Sequence, residues 1–469
     1  MRSPIVARMH ALKDRLVPRG AIVLSVLTFG SYVMGLIRDR ILTSTYGAGI
    51  ELDTFNAAFV IPELTFGVIV ASGLAAPFIP IFTGLRTADS DAAAHRFGQT
   101  ILTLAVLAMG VVAIVLFVIA PWTVEVVAPG FGPAQRALYV DLFRIMCVTQ
   151  VLFAGSMALG EVLVVERRFA FYATAPLLYN AGIVIGTLVL APTIGITAAA
   201  IGAVLGASLH LGIRVVGITR TPFRIRARLD VRTSAIRDFF RLMLPKTASS
   251  PLEPITFLFF TNVASSMAAG SITTVNLARN FASVPVSLVG VAFAIAAFPV
   301  LASAYASGDR GGFIRFASRT AGSVAALTVV AAIGLVIVGP LAIEILLGGG
   351  RFDAAAVAQT ASVLAVFALA VPTESLGHLI SRAIYATRHT IWQVIASIVG
   401  FVVIVVATTA LIEPLDVLAI PAGYALGSAV RLILLVVVLV WRLRRPEAGV
   451  PEAVSAAAIS PATGSGSSA

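Results

Sequence analysis

Three ionisable residues interrupt the first long apolar stretch of the chain, which runs from Ala21 to Tyr46. They are the consecutive residues Arg38, Asp39 and Arg40. A charged side chain at bilayer depth is costly unless it faces protein or water. We therefore expect this helix to turn the triplet towards a hydrated interior that other helices build. Arginines in such a cavity would suit an anionic cargo, such as a phosphate or pyrophosphate.

The roles within this triplet follow in part from helix geometry. Arg38 and Asp39 are neighbours, so their side chains should point about 100° apart and should not pair. Asp39 could then satisfy a backbone group or another arginine, while Arg38 faces the lumen. The alternative for all three residues is a structural ion network that closes one side of the cavity.

Further ionisable residues fall within apolar stretches. Glu63, directly after Pro62, could carry a coupling proton or cation, or could neutralise Arg38. Lys246, directly after Pro245, could face the cargo or could reach towards the cytoplasmic surface. Our candidate substrate-binding residues are Arg38, Arg279, Asp39, Asp53 and Lys246, and our candidate coupling or gating residues are Glu63, Arg40, Glu374 and Arg382.

The composition is that of a polytopic membrane protein. Of the 469 residues, 59% are hydrophobic and only 12% are charged, and the mean hydropathy is +1.00. A soluble protein would carry roughly twice that charge. The formal net charge of +11 resides largely in short loops, which favours membrane orientation and contact with anionic lipid over nucleic-acid binding.

The sequence contains no motif of an enzyme or a metal centre. Its single cysteine, Cys147, excludes a disulfide framework. We therefore expect no catalytic activity and no cofactor. If transport is coupled to an energy source, we expect a monovalent cation or the membrane potential.

Apolar stretches long enough to span a membrane recur along the chain and predict an all-α protein with about twelve transmembrane helices. Basic residues gather in alternate connections, so the positive-inside rule predicts that both termini are cytoplasmic. The predicted spans are approximately 21–45, 54–84, 98–127, 136–165, 169–192, 194–218, 238–265, 271–305, 312–347, 355–385, 389–412 and 416–443.

The chain also repeats internally, which predicts two six-helix bundles. The segment PWTVEVVAPGFG (Pro121–Gly132) matches PLAIEILLGGGRF (Pro340–Phe352), with Glu125 and Glu344 in register. Six helices separate the copies, so the predicted repeats are parallel and related by a pseudo-two-fold axis, with a cavity between them. The predicted units are a cytoplasmic tail (1–20), an N-lobe (21–218), a basic cytoplasmic linker (219–237), a C-lobe (238–445) and a disordered cytoplasmic tail (446–469).

Several segments together resemble a known family. GLIRDRILTSTYGAGIELDTFNAAFVIP (Gly35–Pro62) resembles the signature of the MurJ (MviN) lipid II flippases, which belong to the MOP exporter superfamily. The resemblance continues in VNLARNFASVPVSLVGVAFAIAAFPVLAS (Val275–Ser303) and extends to about Arg445. It implies two bundles packed as a V, alternating access, a hydrophobic groove for a lipid tail, and a cationic cavity for the pyrophosphate of an undecaprenyl-linked sugar-peptide.

The resemblance also assigns roles to individual residues. Arg38 and Asp39 match the family's Arg-Asp pair, Asp53 its acidic residue after the G-A-G turn, and Arg279 the arginine of its eighth helix. The family usually has an arginine where this chain has Tyr32. It also usually has an arginine pair after I-P-N, whereas here Pro62 is followed by ELTFGV, with no arginine and an added Glu63.

The function that the resemblance implies is the flipping of lipid II in the cytoplasmic (inner) membrane. Its partners would be the lipid-linked glycan precursor, membrane lipids and cell-wall synthesis proteins. Two alternatives stay open. One is an exporter of another polyprenyl-linked saccharide or of an amphipathic small molecule, and a cationic drug would favour a net acidic cavity. The other is a paralogue that kept the fold without transporting.

Overall fold

The computed structural model describes residues 19–71, 74–248, 252–387 and 391–444. Within these ranges the regular elements are helices, with one isolated β-bridge between Gly349 and Phe352. Most of the predicted N-terminal tail, and the whole of the predicted disordered tail from residue 446, lie outside the described residues.

Seven α-helices lie in the described residues of the first half of the chain. The second of them, Ile50–Phe66, contains Pro62 and is followed by a π-helical turn at Gly67–Ala71. The helices are α1 (Arg19–Tyr46), α2 (Ile50–Phe66), α3 (Ala75–Ala88), α4 (Asp91–Val127), α5 (Pro133–Val165), α6 (Phe169–Ile194) and α7 (Thr197–Ile218).

In the second half, nine α-helices lie within the ranges that the structure describes. They are α8 (Ser234–Ala248), α9 (Leu252–Ala264), α10 (Ser271–Pro285), α11 (Ala292–Ala306), α12 (Arg310–Leu347), α13 (Ala354–Ala368), α14 (Ala370–Ala386), α15 (Ile391–Leu415) and α16 (Ala419–Arg444).

A matching break in both halves reflects the internal repeat. Between α10 and α11 lies a second π-helical turn, Val286–Val291, and Pro285 directly precedes it. Proline removes a backbone donor and distorts the helix around it. The second transmembrane segment of each half therefore contains a π-helical turn near a proline at the corresponding place.

The described residues contain nine helical stretches that are long and apolar enough to cross a membrane, or ten if the pair α13 and α14, bent by 42°, is one span. One of the nine stretches, 391–444, contains 54 residues and would be about 80 Å long if straight. It holds both α15 and α16, which pack against each other across a turn at Asp416. The protein is thus an all-α polytopic membrane protein, and these stretches are compatible with the predicted twelve spans without establishing that number.

The packing shows how the two lobes meet. One hydrophobic cluster contains residues of both lobes, a second contains residues of the N-lobe and of α8, and a third belongs to the C-lobe. The shared cluster includes Leu42, Phe55, Phe143, Phe260, Leu347 and Phe352. The second cluster includes Phe78, Phe97 and Phe239. The third cluster includes Leu301, Phe313 and Leu435. The lobes therefore share a core at the end where the arginine-poor loops lie, which we call the closed end, and have separate cores towards the opposite, basic end.

Helix α8 connects the two lobes at the basic end. Its side chains Ile236 and Phe239 belong to the cluster formed by the N-lobe. The linker before α8 is hydrogen-bonded to α4. The side chain of Gln99, on α4, donates to the carbonyl oxygen of Arg224, in the linker, at 2.7 Å. The first helix after the linker thus packs on the N-lobe, and α9 begins the contacts with the C-lobe.

Candidate functional site

A cavity of about 910 Å³ lies between the lobes. Its volume is within the range of small-molecule sites. The N-lobe contributes α1, α2, α5, α6 and α7 to its wall, and the C-lobe contributes α9 and α10. Helix α2 turns one continuous face towards it, because its lining residues follow helical spacing. They include Leu52, Phe55, Asn56, Phe59 and Glu63.

Arg38 lines this central cavity from α1. Its Nε and Nη2 atoms donate to Asp39 Oδ1 at 3.0 and 2.7 Å, and its Nη1 atom donates to Asn180 Oδ1 at 2.9 Å. The expectation that Arg38 and Asp39 would not pair is wrong, because the long arginine side chain folds back across the helix surface onto the adjacent carboxylate. Arg38 lies eight residues before Tyr46, about 12 Å along α1 from the closed end.

Two further carboxylates line the central cavity, Glu63 on α2 and Glu253 on α9. Both residues are exposed. Among the described side chains of the lining, one arginine therefore stands beside three carboxylates, those of Asp39, Glu63 and Glu253. The cationic cavity that the resemblance implied is not found in this part of the lining, since Arg40 and Arg279 lie elsewhere.

Arg279 lines a second cavity of about 350 Å³ within the C-lobe. Its Nη2 atom donates to Glu374 Oε1 at 2.7 Å and to the hydroxyl of Tyr424 at 3.1 Å, and its guanidinium lies 4.9 Å from the centre of the Tyr424 ring. The residue is only 6% exposed. Helix α10 turns Asn280 towards the central cavity, and Arg279, one residue earlier, points about 100° away. Arg38 and Arg279 thus line different cavities.

Glu253 lines both cavities, so it lies at the boundary between them. The sequence analysis assigned no role to Glu253. It missed the uncharged polar groups of the two sites altogether, because only ionisable residues were considered. These groups include Asn180, Asn276, Asn280 and Tyr424.

Asp53 lies outside the central cavity and joins the two lobes at the closed end. Its Oδ2 atom accepts a hydrogen bond from the backbone N–H of Gly270 at 2.6 Å. Its Oδ1 atom accepts from the backbone N–H and from the hydroxyl of Thr273, each at 2.7 Å. A carboxylate of the N-lobe therefore caps the N-terminus of α10 in the C-lobe, where free N–H groups and the helix dipole favour negative charge.

Arg40 makes the complementary contact with a helix C-terminus. Its Nη1 atom donates to the carbonyl oxygen of Ile345, in the last turn of α12, at 2.9 Å. Nearby, Arg351 pairs with Glu51 at 2.9 Å, and its backbone N–H donates to the carbonyl oxygen of Ser44. We call the four side chains of Asp53, Arg40, Glu51 and Arg351 the interlobe latch.

Two predicted site residues remain. Arg382 lies on α14 with its guanidinium 6.0 Å from the centre of the Phe298 ring and 5.9 Å from that of Tyr385. It is not part of the described lining of either cavity. Lys246 lies in the last turn of α8, and its side chain is outside the described part of the chain.

Comparison with known proteins identifies the family. The sequence model described as "Lipid II flippase MurJ" matches residues 42–462, which is most of the chain. The chain belongs to the lipid II flippase MurJ family. A probable lipid II flippase MurJ of Rhizobium meliloti is 26% identical over 425 residues, covering 88% of this chain and 79% of the relative. A probable lipid II flippase MurJ of Rickettsia prowazekii is 24% identical over 375 residues, covering 79% of this chain and 74% of the relative.

Solved structures of MurJ and of its superfamily show the same fold. A structure titled "Lipid II flippase MurJ, inward closed conformation" has a TM-score of 0.75 at 19% identity and covers 90% of this chain and 89% of that one. An inward-facing MATE transporter of the MOP superfamily also has a TM-score of 0.75, at 14% identity, with 90% and 98% covered. An outward-facing MATE transporter of the same superfamily has a TM-score of 0.61 at 14% identity, and the match covers 91% of this chain and 95% of that one.

Proposed function

We propose that this MurJ-family protein moves lipid II, an undecaprenyl-pyrophosphate-linked peptidoglycan precursor, across the cytoplasmic membrane by alternating access. The observation that carries the proposal is the position of Arg38, whose guanidinium faces a cavity between two lobes that share a hydrophobic core at the closed end. A guanidinium offers paired N–H donors that match phosphate oxygens. Family membership supports the same cargo.

Asp39 and Asn180 prepare Arg38 for the cargo. They accept three hydrogen bonds from the guanidinium and hold it in one orientation. The Asp39 charge also lowers the cost of keeping a cation at bilayer depth. When the diphosphate arrives, its oxygens compete with one carboxylate oxygen of Asp39. Arg38 therefore binds the cargo, and Asp39 and Asn180 are positioning residues.

The interlobe latch would control which side of the membrane the cavity faces. The positive-inside rule predicts that the basic end is cytoplasmic, so closure at the other end makes this an inward-facing state. Flipping requires the latch to open and the basic end to close. A cargo can drive that change only through its different affinity for the two states.

Energy coupling would act on the carboxylates of the central cavity. Glu63 and Glu253 are exposed there, and a monovalent cation, a proton or the membrane potential could act on their charges. Glu374 is less suited, since Arg279 already neutralises it. The partners that this proposal requires are the lipid-linked precursor and membrane lipids, and contact with cell-wall synthesis proteins stays a prediction.

A second candidate function is the export of an amphipathic cation. The excess of carboxylates over arginine in the described lining favours it, and so does the fold shared with a multidrug transporter. It differs from the first candidate in the sign of the charge that the cargo must carry.

The test is complementation of a bacterial strain depleted of its resident lipid II flippase. We expect the wild-type chain to restore growth and Arg38→Ala to fail. Arg319→Ala, an exposed arginine on α12 that lines neither described cavity, serves as the control and should restore growth. If the wild-type chain reaches normal levels in the membrane and fails to restore growth, the proposal is contradicted. Resistance of the same cells to cationic drugs would then favour the second candidate.

A further inference from the structure

Two charged residues of α5 face away from the central cavity. Gln150 and Phe153 of this helix line the cavity. Asp141 lies nine residues before Gln150, and Arg144 lies nine residues before Phe153. Nine residues turn an α-helix by about 900°, or two and a half turns, so each charged residue lies on the side of α5 opposite to the cavity. Asp141 is exposed there and Arg144 is partly exposed.

The surroundings of these two residues are apolar and exposed. Val148, which follows them on the same side of α5, is 49% exposed. On the neighbouring helix α4, Ile114 and Val118 are 67% and 60% exposed. Apolar side chains that lie open on the outside of a transmembrane helix face lipid. Asp141 and Arg144 therefore lie on the lipid-facing surface of the N-lobe.

Arg144 lies deeper in the membrane than the interfacial level. Its guanidinium is 4.9 Å from the centre of the Phe117 ring, and its Nε atom donates to the carbonyl oxygen of Phe117 at 3.3 Å. Trp122, five residues closer to the closed end of α4, is 66% exposed, as tryptophans at the membrane–water interface are. Arg144 is thus about 7.5 Å further towards the bilayer centre than Trp122. A charge that faces lipid at this depth is costly without a partner.

The two charges have few partners within the chain. In the ranges that the structure describes, the Asp141 carboxylate has neither a hydrogen bond nor an ion pair, and Arg144 donates only from Nε. Although they are three residues apart on one helix, they do not pair with each other. The carboxylate and both Nη atoms of the guanidinium are therefore available to a group from outside the chain.

We infer that this outer face of α5 is the interface between two copies of the protein in the membrane. In a two-fold symmetric pair, residue i of one copy contacts residue j of the other, and j contacts i. Asp141 of each copy would meet Arg144 of the other, which gives both charges their partners twice over. The same face continues in Ala134 and Ala137, which are exposed, and small residues let helices approach closely in lipid.

The opposite signs of the two charges favour a second copy over an anionic lipid. A lipid phosphate would satisfy the Arg144 guanidinium but would repel the Asp141 carboxylate. A second copy brings one charge of each sign at the required spacing. The interface is independent of the cargo, because neither residue lines either described cavity.

Charge reversal tests the pairing with the full chain in lipid vesicles. Copies labelled with donor or acceptor dyes report association by energy transfer as the protein-to-lipid ratio rises. We expect the wild type to associate. Asp141→Arg and Arg144→Asp should each weaken self-association at least about tenfold, because like charges then meet at both contacts. A mixture of the two variants should associate as the wild type does, because each contact again joins an acid and a base.

Two controls lie on the C-lobe helix α12. Arg319→Asp reverses an exposed arginine away from the α5 face and should leave association unchanged. Disulfide crosslinking gives a second measurement that needs no change of charge. Ala137→Cys should crosslink two copies through the same residue, whereas Val330→Cys, at a residue that is 69% exposed, should not.

The outcomes are decisive in both directions. Recovery in the mixture would support the interface, since variants that fail to fold cannot restore association to each other. The interface is wrong if the wild type stays monomeric at every ratio, if the single variants associate as the wild type does, or if Ala137→Cys crosslinks no more than Val330→Cys. The flippase proposal stands in each of these cases, because complementation tests it separately.

Discussion

The carboxylate of Asp53 accepts hydrogen bonds from both the backbone N–H and the hydroxyl of Thr273, each at 2.7 Å, although 220 residues separate the two in the chain. One lobe thereby caps a helix of the other. The contact is buried, since Asp53 is 3% exposed and Thr273 is fully covered. Opening the cavity towards the closed end requires this cap to break.

Weakening the cap should open the closed end. Asp53→Asn removes the negative charge and one of the matched acceptors, and charged hydrogen bonds of this kind each contribute about 1.5–3 kcal/mol. We expect the equilibrium to shift towards the outward-facing state by at least about tenfold. Spin labels at Ile50 and Ala269, both exposed at this end, would report the shift as a longer interlobe distance.

A matched control lies at the same end of the molecule. Asp353 caps α13 by accepting from the backbone N–H of Ala356 at 2.9 Å, but both residues belong to the C-lobe. Asp353→Asn should lower stability slightly and leave the interlobe distance unchanged. An Asp53→Asn protein whose distance distribution equals that of Asp353→Asn would show that the cap does not hold the lobes together.

The ion pair between Glu51 and Arg351 should matter much less than the cap. Its side chains are 36% and 63% exposed, and exposed pairs contribute about 0–1 kcal/mol and are screened by salt. We expect Glu51→Gln to shift the same label distance only at low ionic strength, by less than about fivefold in population. A shift as large as that of Asp53→Asn at high salt would overturn this ranking.

The buried ion pair of Arg279 and Glu374 should contribute to the stability of the folded protein. Both side chains are less than 10% exposed, and removing one partner of a buried pair leaves an uncompensated charge at a cost of about 3–5 kcal/mol. We expect Arg279→Met and Glu374→Met to lower the melting temperature of the purified protein strongly, and the double variant to recover part of the loss. If Arg279→Met kept its melting temperature and lost only cargo binding, the residue would be a cargo ligand instead.

The class of protein and its two-lobed plan could be predicted from the sequence because hydropathy and internal repeats are local signals. The position of Arg38 in a cavity could also be predicted, because a charge at that depth of the membrane needs water or a partner. The same argument did not locate Arg279, because its partners Glu374 and Tyr424 lie 95 and 145 residues further along the chain. A helix face that meets a neighbour and one that meets a cavity look alike in the sequence.

Asp53 shows a second limit of sequence reasoning. Its partners are mostly backbone N–H groups, at Gly270 and Thr273, and any residue type supplies those. Nothing in the sequence therefore marks them as the receiving side of a contact. The pairing of Arg38 with Asp39 was missed because helix geometry fixes where a side chain starts and not where a long one ends.

Transport of lipid II into the opposite leaflet of proteoliposomes tests the central claim, that the guanidinium of Arg38 binds the diphosphate of the cargo. We expect wild type and the control Arg319→Gln to transport it. Arg38→Gln, which keeps hydrogen-bond donors and removes the charge, should be slower by at least about a hundredfold, because two charge-assisted hydrogen bonds are lost. Wild-type transport by a correctly folded Arg38→Gln protein would contradict the account.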